Sequence, residues 1–244
     1  MVQPESPLPA RVVRVIGPGR AGGSLLGALA ASGRWRVVEP LRRDDPVRGA
    51  AHGVDLLVIA TPDRAIADVA ARIEPVGTTV VAHLSGACGL DVLGRHPRRG
   101  ALHPLMTLPD AERGAVLLRG AWFAIAGDEL MGQVVAALGG RSFGVADEQR
   151  AVYHAAACVA SNHVIALLAQ VERLAVIAGV PYEAFFGIVR ASVENSVEMG
   201  PRRALTGPAA RGDTTTIERH LAALDHRERP AYEAMVAEIR RLVS

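Results

Sequence analysis

The chain has 244 residues, of which 50% are hydrophobic and 21% are charged, and its formal net charge is +2. This length fits one large domain or two modest ones, and the composition is that of a globular protein with a core. The small net charge argues against nucleic acid or a membrane surface as the partner. All 27 basic residues are arginine, which excludes Schiff-base chemistry by lysine. The two cysteines, Cys88 and Cys158, lack metal-ligand spacing, so neither a metal site nor a disulfide scaffold is predicted.

The beginning of the chain has no recognisable targeting signal. Residues 1–10, MVQPESPLPA, lack the basic segment and apolar core of a signal peptide, and they are predicted to form a short disordered leader. No uninterrupted apolar run reaches the roughly 18 residues that a bilayer span requires. A cytoplasmic protein without a membrane partner is therefore expected.

A glycine-rich segment follows the first strand-like run of the chain. The sequence VVRVIGPGRAG over residues 12–22 precedes a helix-like stretch at Ser24–Ser32 and a second strand candidate at Trp35–Glu39. In this context GxGxxG predicts a dinucleotide site: the first glycine permits the turn, the second admits the pyrophosphate, and the third allows close helix packing. Free N–H groups at the helix start favour an anion. The predicted cofactor-binding segment is Gly17, Pro18, Gly19, Arg20, Ala21 and Gly22.

The end of the second strand decides between NADP and NAD. An acidic residue about 20 positions after the fingerprint favours NAD, whereas arginine there favours NADP. Arg42 and Arg43 occupy this region, and their planar guanidinium groups suit a 2′-phosphate. Two alternatives stay open, because Glu39 could bind a ribose hydroxyl and the arginines could be a solvated loop. NADP(H) is favoured over NAD(H).

Strand and helix signals alternate in the first part of the chain. Helical patterns at Arg64–Ile73, which Asp63 can cap, and at Asp128–Leu138 separate short apolar runs. Such runs are typical of strands covered on both faces. They lie at Asp55–Ala60, Thr79–Leu84, Ala121–Ala126 and Ser142–Val145. The alternation predicts a parallel sheet with right-handed crossovers in a first domain, residues 1–146.

The pattern changes at Asp147. Residues 147–178 contain neither glycine nor proline and predict one helix about 48 Å long. A small domain cannot cover such a helix, so burial against a partner subunit is expected. Further helices are predicted at Tyr182–Met199, Thr214–Leu224 and Arg229–Leu242. The fold class is therefore α/β, with a parallel sheet followed by an all-helical domain over residues 147–244.

Ligands bind beyond the carboxyl ends of parallel strands, where three predicted loops meet. The first contains Thr61 and Pro62, which are predicted to contact the cofactor; the second contains Ser85, and the third, Leu102–Thr107, contains His103. Ser85 could hold a substrate carboxylate or simply form a turn. His103 could donate to a phosphate or a carbonyl, or it could anchor its loop.

The long helix carries a polar line on an alanine-rich face. His154, Cys158 and Asn162 recur every four residues and share one face, with Ser161 beside them as a predicted substrate-binding residue. Burying such groups is costly unless they are bonded, so the face is either a satisfied core network or a substrate site. For the site, His154 is predicted as the general acid and Asn162 as the group that polarises the substrate.

A third cluster follows the turn at Thr206-Gly207-Pro208. Arg211 precedes a predicted helix that Asp213 or Thr214 can cap. A substrate carboxylate there would meet a guanidinium and helix N–H groups. Alternatively, Arg211 and Asp213 form an ion pair that stabilises the loop.

Together these motifs resemble a family of Rossmann-like oxidoreductases with a helical C-terminal domain of unknown function, of the 6-phosphogluconate dehydrogenase C-terminal type. The matching segments, in order, are GPGRAG, ATPD, HLSGA, LHPLMT, YHAAACVASN and LTGPAARGD. The family is similar to pyrroline-5-carboxylate reductases, 3-hydroxyisobutyrate dehydrogenases and ketopantoate reductases. This resemblance implies catalytic groups and a homodimer interface in the helical domain. Related enzymes usually place a lysine on the long helix, and His154 looks like its counterpart.

Three functions follow from the resemblance and the residues. The first is an NADPH-dependent reductase of a small 2-oxo acid, with 2-dehydropantoate (ketopantoate) of pantothenate biosynthesis as the leading substrate. The second is an imine reductase of the pyrroline-5-carboxylate type. The third is a non-catalytic NADP(H)-binding redox sensor. A flavin or deazaflavin partner is a further alternative.

Overall fold

The computed structural model describes residues 10–244, and the predicted leader lies outside this range except for Ala10. The first part of the chain forms one seven-stranded sheet in the order β2-β1-β3-β4-β5-β6-β7. The strands are β1 Arg11–Ile16, β2 Trp35–Val37, β3 Leu56–Ile59, β4 Val80–His83, β5 Arg99–Pro104, β6 Trp122–Gly127 and β7 Arg141–Gly144. This architecture confirms the α/β fold class.

The sheet is mixed, because β5 and β6 pair antiparallel while every other neighbouring pair is parallel. Strand β5 was not predicted, because Leu102–Thr107 was expected to form a loop. In the structure Leu102, His103 and Pro104 are the last residues of this strand, and the loop begins at Leu105. The run from Arg99 to Pro104 has no long apolar core, and its terminal proline is tolerated because it needs no further ladder partner.

Helices cover both faces of the sheet. In this part of the chain they are α1 Arg20–Ala31, α2 Asp63–Arg72, α3 Ala111–Leu117 and α4 Leu130–Ala137. Alternate strand residues face opposite layers: Val13 and Val15 pack with α1, whereas Ile16 and Ile59 pack with α2. The sheet is thus buried on both sides, which explains the continuous apolar runs of β3 and β4.

The long helix is interrupted by a change in hydrogen bonding. A 3₁₀ turn at Asp147–Gln149 leads into α5, Arg150–Cys158, which is followed by a π-helical segment, Val159–His163, and by α6, Val164–Ala178. Gly179, with φ +68°, ends α6 in the left-handed conformation. The four-residue spacing that places His154 and Cys158 on one face therefore holds only up to Cys158, because π-helical turns are wider.

Three of the remaining helices follow the predicted pattern with small shifts, and the short helix over Pro201–Ala204 was not predicted. The helices of this part are α7 Phe186–Met199, preceded by a 3₁₀ turn at Tyr182–Phe185, α8 Pro201–Ala204, α9 Thr214–Ala223 and α10 Arg229–Val243. The chain divides into two compact units, and the division falls between Ser161 and Asn162. The sequence-based boundary at 146/147 marks the end of the sheet, whereas α5 belongs to the unit that contains the sheet.

The second unit has a small core and much exposed apolar surface. Ala209, Ile217 and Val236 form its buried cluster. By contrast, Ile177 and Val197 are 69% and 81% exposed. Among residues 10–244, the helical stretch Asp147–Ala178 contains an 18-residue window with a mean hydropathy of 1.4, so it is long and apolar enough to cross a membrane by length and composition alone. This differs from the expectation from the sequence, in which no uninterrupted apolar run reaches the length of a span. This window is not buried inside the structure, whereas helices of the same composition in the cores of soluble proteins are mostly buried.

Candidate nucleotide cleft and active site

The glycine-rich turn has the geometry of a nucleotide fingerprint. Gly17 has φ +87°, which favours glycine, and its N–H donates to the carbonyl oxygen of Leu41 at 2.8 Å. A Cβ on Gly22 would overlap the Gly17 carbonyl oxygen and would lie 2.9 Å from the side chains of Ala60 and Val15. The first glycine therefore makes the turn, and the third brings α1 against the sheet.

The amino end of α1 is open. Its N-cap residue is Gly19, so no side chain satisfies the first N–H groups of the helix. A Cβ on Gly19 would meet no atom within 4 Å, whereas both neighbouring fingerprint glycines are tightly packed. The unpaired N–H groups and the open space together suit a phosphate group.

A cavity of about 530 Å³ lies beside this turn. Seven of the predicted cofactor residues line it: Gly17, Pro18, Gly19, Arg42, Arg43, Thr61 and Pro62. The remaining three, Arg20, Ala21 and Gly22, do not. Arg64 and Arg72 also line it, and the sequence analysis missed them because helix α2 had no motif that marked its exposed face.

The arginines, and not Glu39, face this cavity. Strand pairing continues past β2, because Leu41 bridges to Ile16 and its N–H donates to Val15 at 2.8 Å. Arg42 and Arg43 thus follow directly after the extended segment, next to the Gly17 turn. Glu39 is exposed and is not among the residues that line the cavity. Thr61 also lines this cavity, and its enclosed hydroxyl has no hydrogen-bond partner in the described part of the chain.

The turn after β4 is held by a closed set of hydrogen bonds. The ring of His83 is fixed between two backbone groups: Nδ1 accepts from the Ser85 N–H at 3.2 Å, and Nε2 donates to the Gly89 carbonyl at 3.1 Å. The hydroxyl of Ser85 donates to Asp63 Oδ2 at 2.7 Å and accepts from the N–H groups of Ala87 and Cys88, each at 3.1 Å. Because its proton and both lone pairs are used, Ser85 positions the turn, and the geometry does not favour it as a substrate ligand.

Asp63 has a different role from the predicted one. It was expected to cap α2, but it is the first residue of that helix, and the N-cap is Pro62, which has no capping side chain. Its carboxylate instead accepts from Ser85 and so joins the loop after β3 to the turn after β4. Its charge also lies in the first turn of α2, which complements the helix dipole.

Three aromatic or imidazole side chains gather around Gly86. His103, near the end of β5, has Nδ1 2.6 Å from the hydroxyl of Tyr153 on α5. The ring of His154 lies 6.0 Å from that of His103, centroid to centroid. A Cβ on Gly86 would lie 2.8–2.9 Å from atoms of His103 and 2.9 Å from the His154 ring. The glycine therefore allows both imidazoles to approach the turn.

This cluster is electrically neutral at His103 and Tyr153. Burial lowers the pKa of His103 to about 4, and the nearby His154 acts in the same direction. Burial also lowers the pKa of His83 and raises that of Tyr153. Near pH 7 the pair is thus a neutral imidazole and a protonated phenol, which can donate or relay a hydrogen bond. In the described residues, no His, Cys, Asp and Glu side chains form a group that could hold a metal ion.

The titration of His103 has a consequence for stability. The unfolded chain protonates this residue near its ordinary pKa of 6.5, whereas the folded protein keeps it neutral to about pH 4. Unfolding therefore takes up a proton in this interval, and stability falls as the pH drops from 6.5 to 4, by roughly 2 kcal/mol for this group. Between pH 7 and pH 4.5 the free energy of unfolding of His103→Gln is expected to fall by roughly 2 kcal/mol less than that of the wild type. Urea denaturation at the two pH values measures this difference. The variant keeps part of the pH dependence of stability, because the pKa of His83 is lowered as well. If the unfolding free energies of the two proteins fell in parallel with pH, the lowered pKa of His103 would be contradicted.

The other predicted residues lie near or beyond the boundary between the units. Ser161 donates its hydroxyl to the carbonyl of Ala157 at 2.7 Å, and Asn162 lies in the π-helical segment. Asp213 caps α9, as predicted, by accepting from the Thr216 N–H at 3.0 Å. Arg211 is exposed and forms no direct ion pair with Asp213 in the part of the chain described; the hydrogen bonds from Thr216 lower the pKa of Asp213, and the charge of Arg211 acts in the same direction. Asp213 also occupies the N–H group that a bound carboxylate would have used.

Comparisons with known proteins agree with this architecture. A family model described as a domain of unknown function, DUF2520, matches residues 122–239. No curated protein sequence matches the chain. The matched region includes the end of the sheet and most of the helices, in line with the resemblance of the C-terminal motifs.

Solved structures resemble nearly the whole chain. A protein from Bacteroides fragilis, BF3122, provisionally named an NADP oxidoreductase, is 21% identical with a TM-score of 0.80, over 95% of this chain and 98% of that one. Protein TM1727 from Thermotoga maritima is 21% identical with a TM-score of 0.70 over the same shares. Pyrroline carboxylate reductase from Plasmodium falciparum, solved with NADP bound, is 14% identical with a TM-score of 0.63, over 96% of this chain and 98% of that one. The fold is Rossmann-type with a helical C-terminal region.

Proposed function

We propose that this protein is an NADP(H)-dependent reductase of a small 2-oxo acid, with ketopantoate as the leading substrate. The observation that carries the proposal is the meeting of two sites at one edge of the sheet. The nucleotide cleft begins where β1 and β3 end, and the His103–Tyr153–His154 cluster lies where β4 and β5 end. In open sheets of this kind, cofactor and substrate share the carboxyl edge.

The cleft fits NADP(H) better than NAD(H). The uncapped amino end of α1 and the open space at Gly19 suit a pyrophosphate. Arg42 and Arg43 line the wall where a 2′-phosphate would lie, whereas Glu39 is outside it. A reduced nicotinamide, when bound, supplies the hydride; the protein must supply the proton.

His154 is proposed as the group that donates this proton to the substrate oxygen. Its ring contacts the turn at Gly86, and an imidazole exchanges protons readily near neutral pH. The phenol of Tyr153, held at 2.6 Å from His103, is a second donor that can orient the same oxygen. The role of Asn162 in polarising the carbonyl group stays a prediction from the sequence. Hydride and proton together convert the ketone into an alcohol, which balances the reaction.

Imine reduction is the second candidate. It rests on the likeness in fold to pyrroline carboxylate reductase and needs no strong acid, because an imine can bind already protonated. The redox sensor predicts NADP(H) binding without substrate-dependent oxidation. Purified protein assayed for NADPH oxidation with ketopantoate, with pyrroline-5-carboxylate and with neither separates these functions. Turnover of ketopantoate supports the proposal, whereas turnover of the imine alone contradicts it.

The catalytic role of His154 makes a direct prediction. Replacing His154 with alanine is expected to lower kcat by roughly 100-fold or more, because general acid catalysis contributes that much, while NADPH affinity stays unchanged. His163→Ala is the matched control, since this histidine is exposed in the π-helical segment. Steady-state kinetics measure both variants. Wild-type turnover in His154→Ala would remove this residue from the mechanism.

A cytoplasmic homodimer is proposed as the working form. The exposed apolar side chains of the second unit, such as Ile188 at 66% and Val193 at 55%, are expensive to leave in water. A second copy of the helical unit would cover these side chains better than lipid would, because the same helices also carry charged residues. Light scattering of the protein purified without detergent is expected to give twice the mass of the chain. A monomer, or protein found only in membranes, would contradict this.

A further inference from the structure

Arg150 is a buried cation with most of its hydrogen-bonding capacity unused. Its side chain is 3% exposed, and its one ion pair joins Nε to Asp147 Oδ1 at 2.7 Å. The other four N–H groups of the guanidinium bind no residue between 10 and 244. The terminal nitrogens are not among the fully enclosed polar atoms that lack a partner, so a small opening reaches them.

The same residue belongs to the cluster at Gly86. Arg150, Tyr153 and His154 stand at positions i, i+3 and i+4 of α5, which places them on one face of the helix. Asp147, one turn earlier, packs against the turn after β4, because a Cβ on Gly89 would lie 3.0 Å from its Oδ2. The positive charge of Arg150 helps to lower the pKa of His103 and opposes the rise in the pKa of Tyr153, which agrees with this proximity.

The pairing with Asp147 compensates the buried charge only in part. The Asp147 side chain is 58% exposed, so water screens its attraction for the guanidinium. Burying an arginine without full compensation is unfavourable, and the free N–H pairs have the geometry that binds a carboxylate through two parallel bonds. An anionic ligand would therefore complete this arrangement.

We infer that Arg150 is the anion-binding residue of the active site and that the substrate carries a carboxylate beside its reducible carbon. The inference rests on the proposed function and gives the substrate class its structural reason. It also replaces the predicted anchors, because the Ser85 hydroxyl is fully used within its turn and Arg211 lies exposed in the other unit. The competing explanation is a purely structural ion pair that begins α5.

Calorimetry with oxalate tests this inference. Oxalate, a small dianion shaped like a 2-oxo acid, is titrated into the full-length protein with and without NADP⁺, and uncharged oxamide serves as the control ligand. Arg150→Gln is expected to weaken oxalate binding at least tenfold. Arg150→Lys keeps the charge but loses the paired N–H groups, so it is expected to bind oxalate with intermediate affinity. Arg119→Gln, which changes an exposed arginine, should bind like the wild type.

Asp147→Asn separates ligand binding from the structural explanation. It removes the ion pair but frees the guanidinium, so oxalate affinity should stay or rise; an equal loss in Asp147→Asn and Arg150→Gln would overturn the inference. Absence of oxalate binding by the wild type, or unchanged binding by both folded Arg150 variants, would also overturn it. NADPH binding is measured separately for each protein. A protein that binds oxalate through Arg150 but no nucleotide would instead refute the proposed function.

Discussion

Replacing Gly22 with alanine is expected to destabilise the protein by about 1–3 kcal/mol and to weaken NADPH binding at least tenfold. The new methyl group would overlap the Gly17 carbonyl oxygen and would crowd Ala60 and Val15 at 2.9 Å. A backbone carbonyl cannot move away as a flexible side chain can, so α1 must shift from the sheet. The amino end of α1 moves with it and no longer presents its unpaired N–H groups correctly. Chemical denaturation and NADPH fluorescence titration measure the two effects.

Gly19→Ala is the matched control because it separates binding from stability. Gly19 has φ −75°, and a Cβ there would have no atom within 4 Å, so alanine fits the folded protein without strain. Its stability is expected to stay within about 0.5 kcal/mol of the wild type. Its NADPH affinity should still fall at least tenfold, because the methyl group occupies the space of the pyrophosphate. Unchanged NADPH binding by Gly19→Ala would show that no pyrophosphate lies there.

The double variant Arg42→Ala/Arg43→Ala is expected to lower NADPH affinity by roughly 10- to 100-fold and to leave NADH affinity unchanged. Both arginines line the cleft beside the Gly17 turn, and the expected loss corresponds to about 1.5–3 kcal/mol in total, roughly the contribution of one hydrogen bond to a charged group. NADH lacks the 2′-phosphate, so it cannot lose this contribution. Fluorescence titration with both nucleotides gives the ratio directly.

Two controls accompany this variant. Arg48→Ala removes another exposed arginine of the same segment, one that pairs with Glu74 at 3.8 Å, and it should bind NADPH normally. Glu39→Gln tests the alternative that this carboxylate binds a ribose. It should not weaken NADH binding, because Glu39 lies outside the cleft. If the double variant lost affinity for NADPH and for NADH equally, the arginines would attract both nucleotides by their charge and would not recognise the 2′-phosphate.

The parts of the fold that were predictable depend on short-range patterns. The glycine spacing, the buried strands β1, β3 and β4, and the Asp213 cap all follow from neighbouring residues, and the structure contains each of them. The place of Arg42 and Arg43 in the cleft was predictable because they lie about 20 residues after Gly22, the distance at which such folds contact the ribose. Local chemistry determined these features, so no tertiary information was needed.

The features that were missed depend on contacts between distant segments. Strand β5 exists because β4 and β6 pair with it, and nothing in its own sequence is strongly strand-like. The bond between His103 and Tyr153 joins residues 50 positions apart. The π-helical turn after Cys158 has no reliable sequence signal. No sequence pattern singled out Arg150 among the 27 arginines, and only the burial of its side chain distinguishes it.

The central claim is that the cleft beside Gly17 binds NADP(H), and a fluorescence titration of the wild-type protein with NADPH and NADH tests it most directly. We expect saturable NADPH binding that is at least tenfold tighter than NADH binding and that is at least tenfold weaker in Gly19→Ala. Equal or tighter binding of NADH would contradict the role of Arg42 and Arg43. Failure to bind either nucleotide would contradict the assignment of the cleft itself.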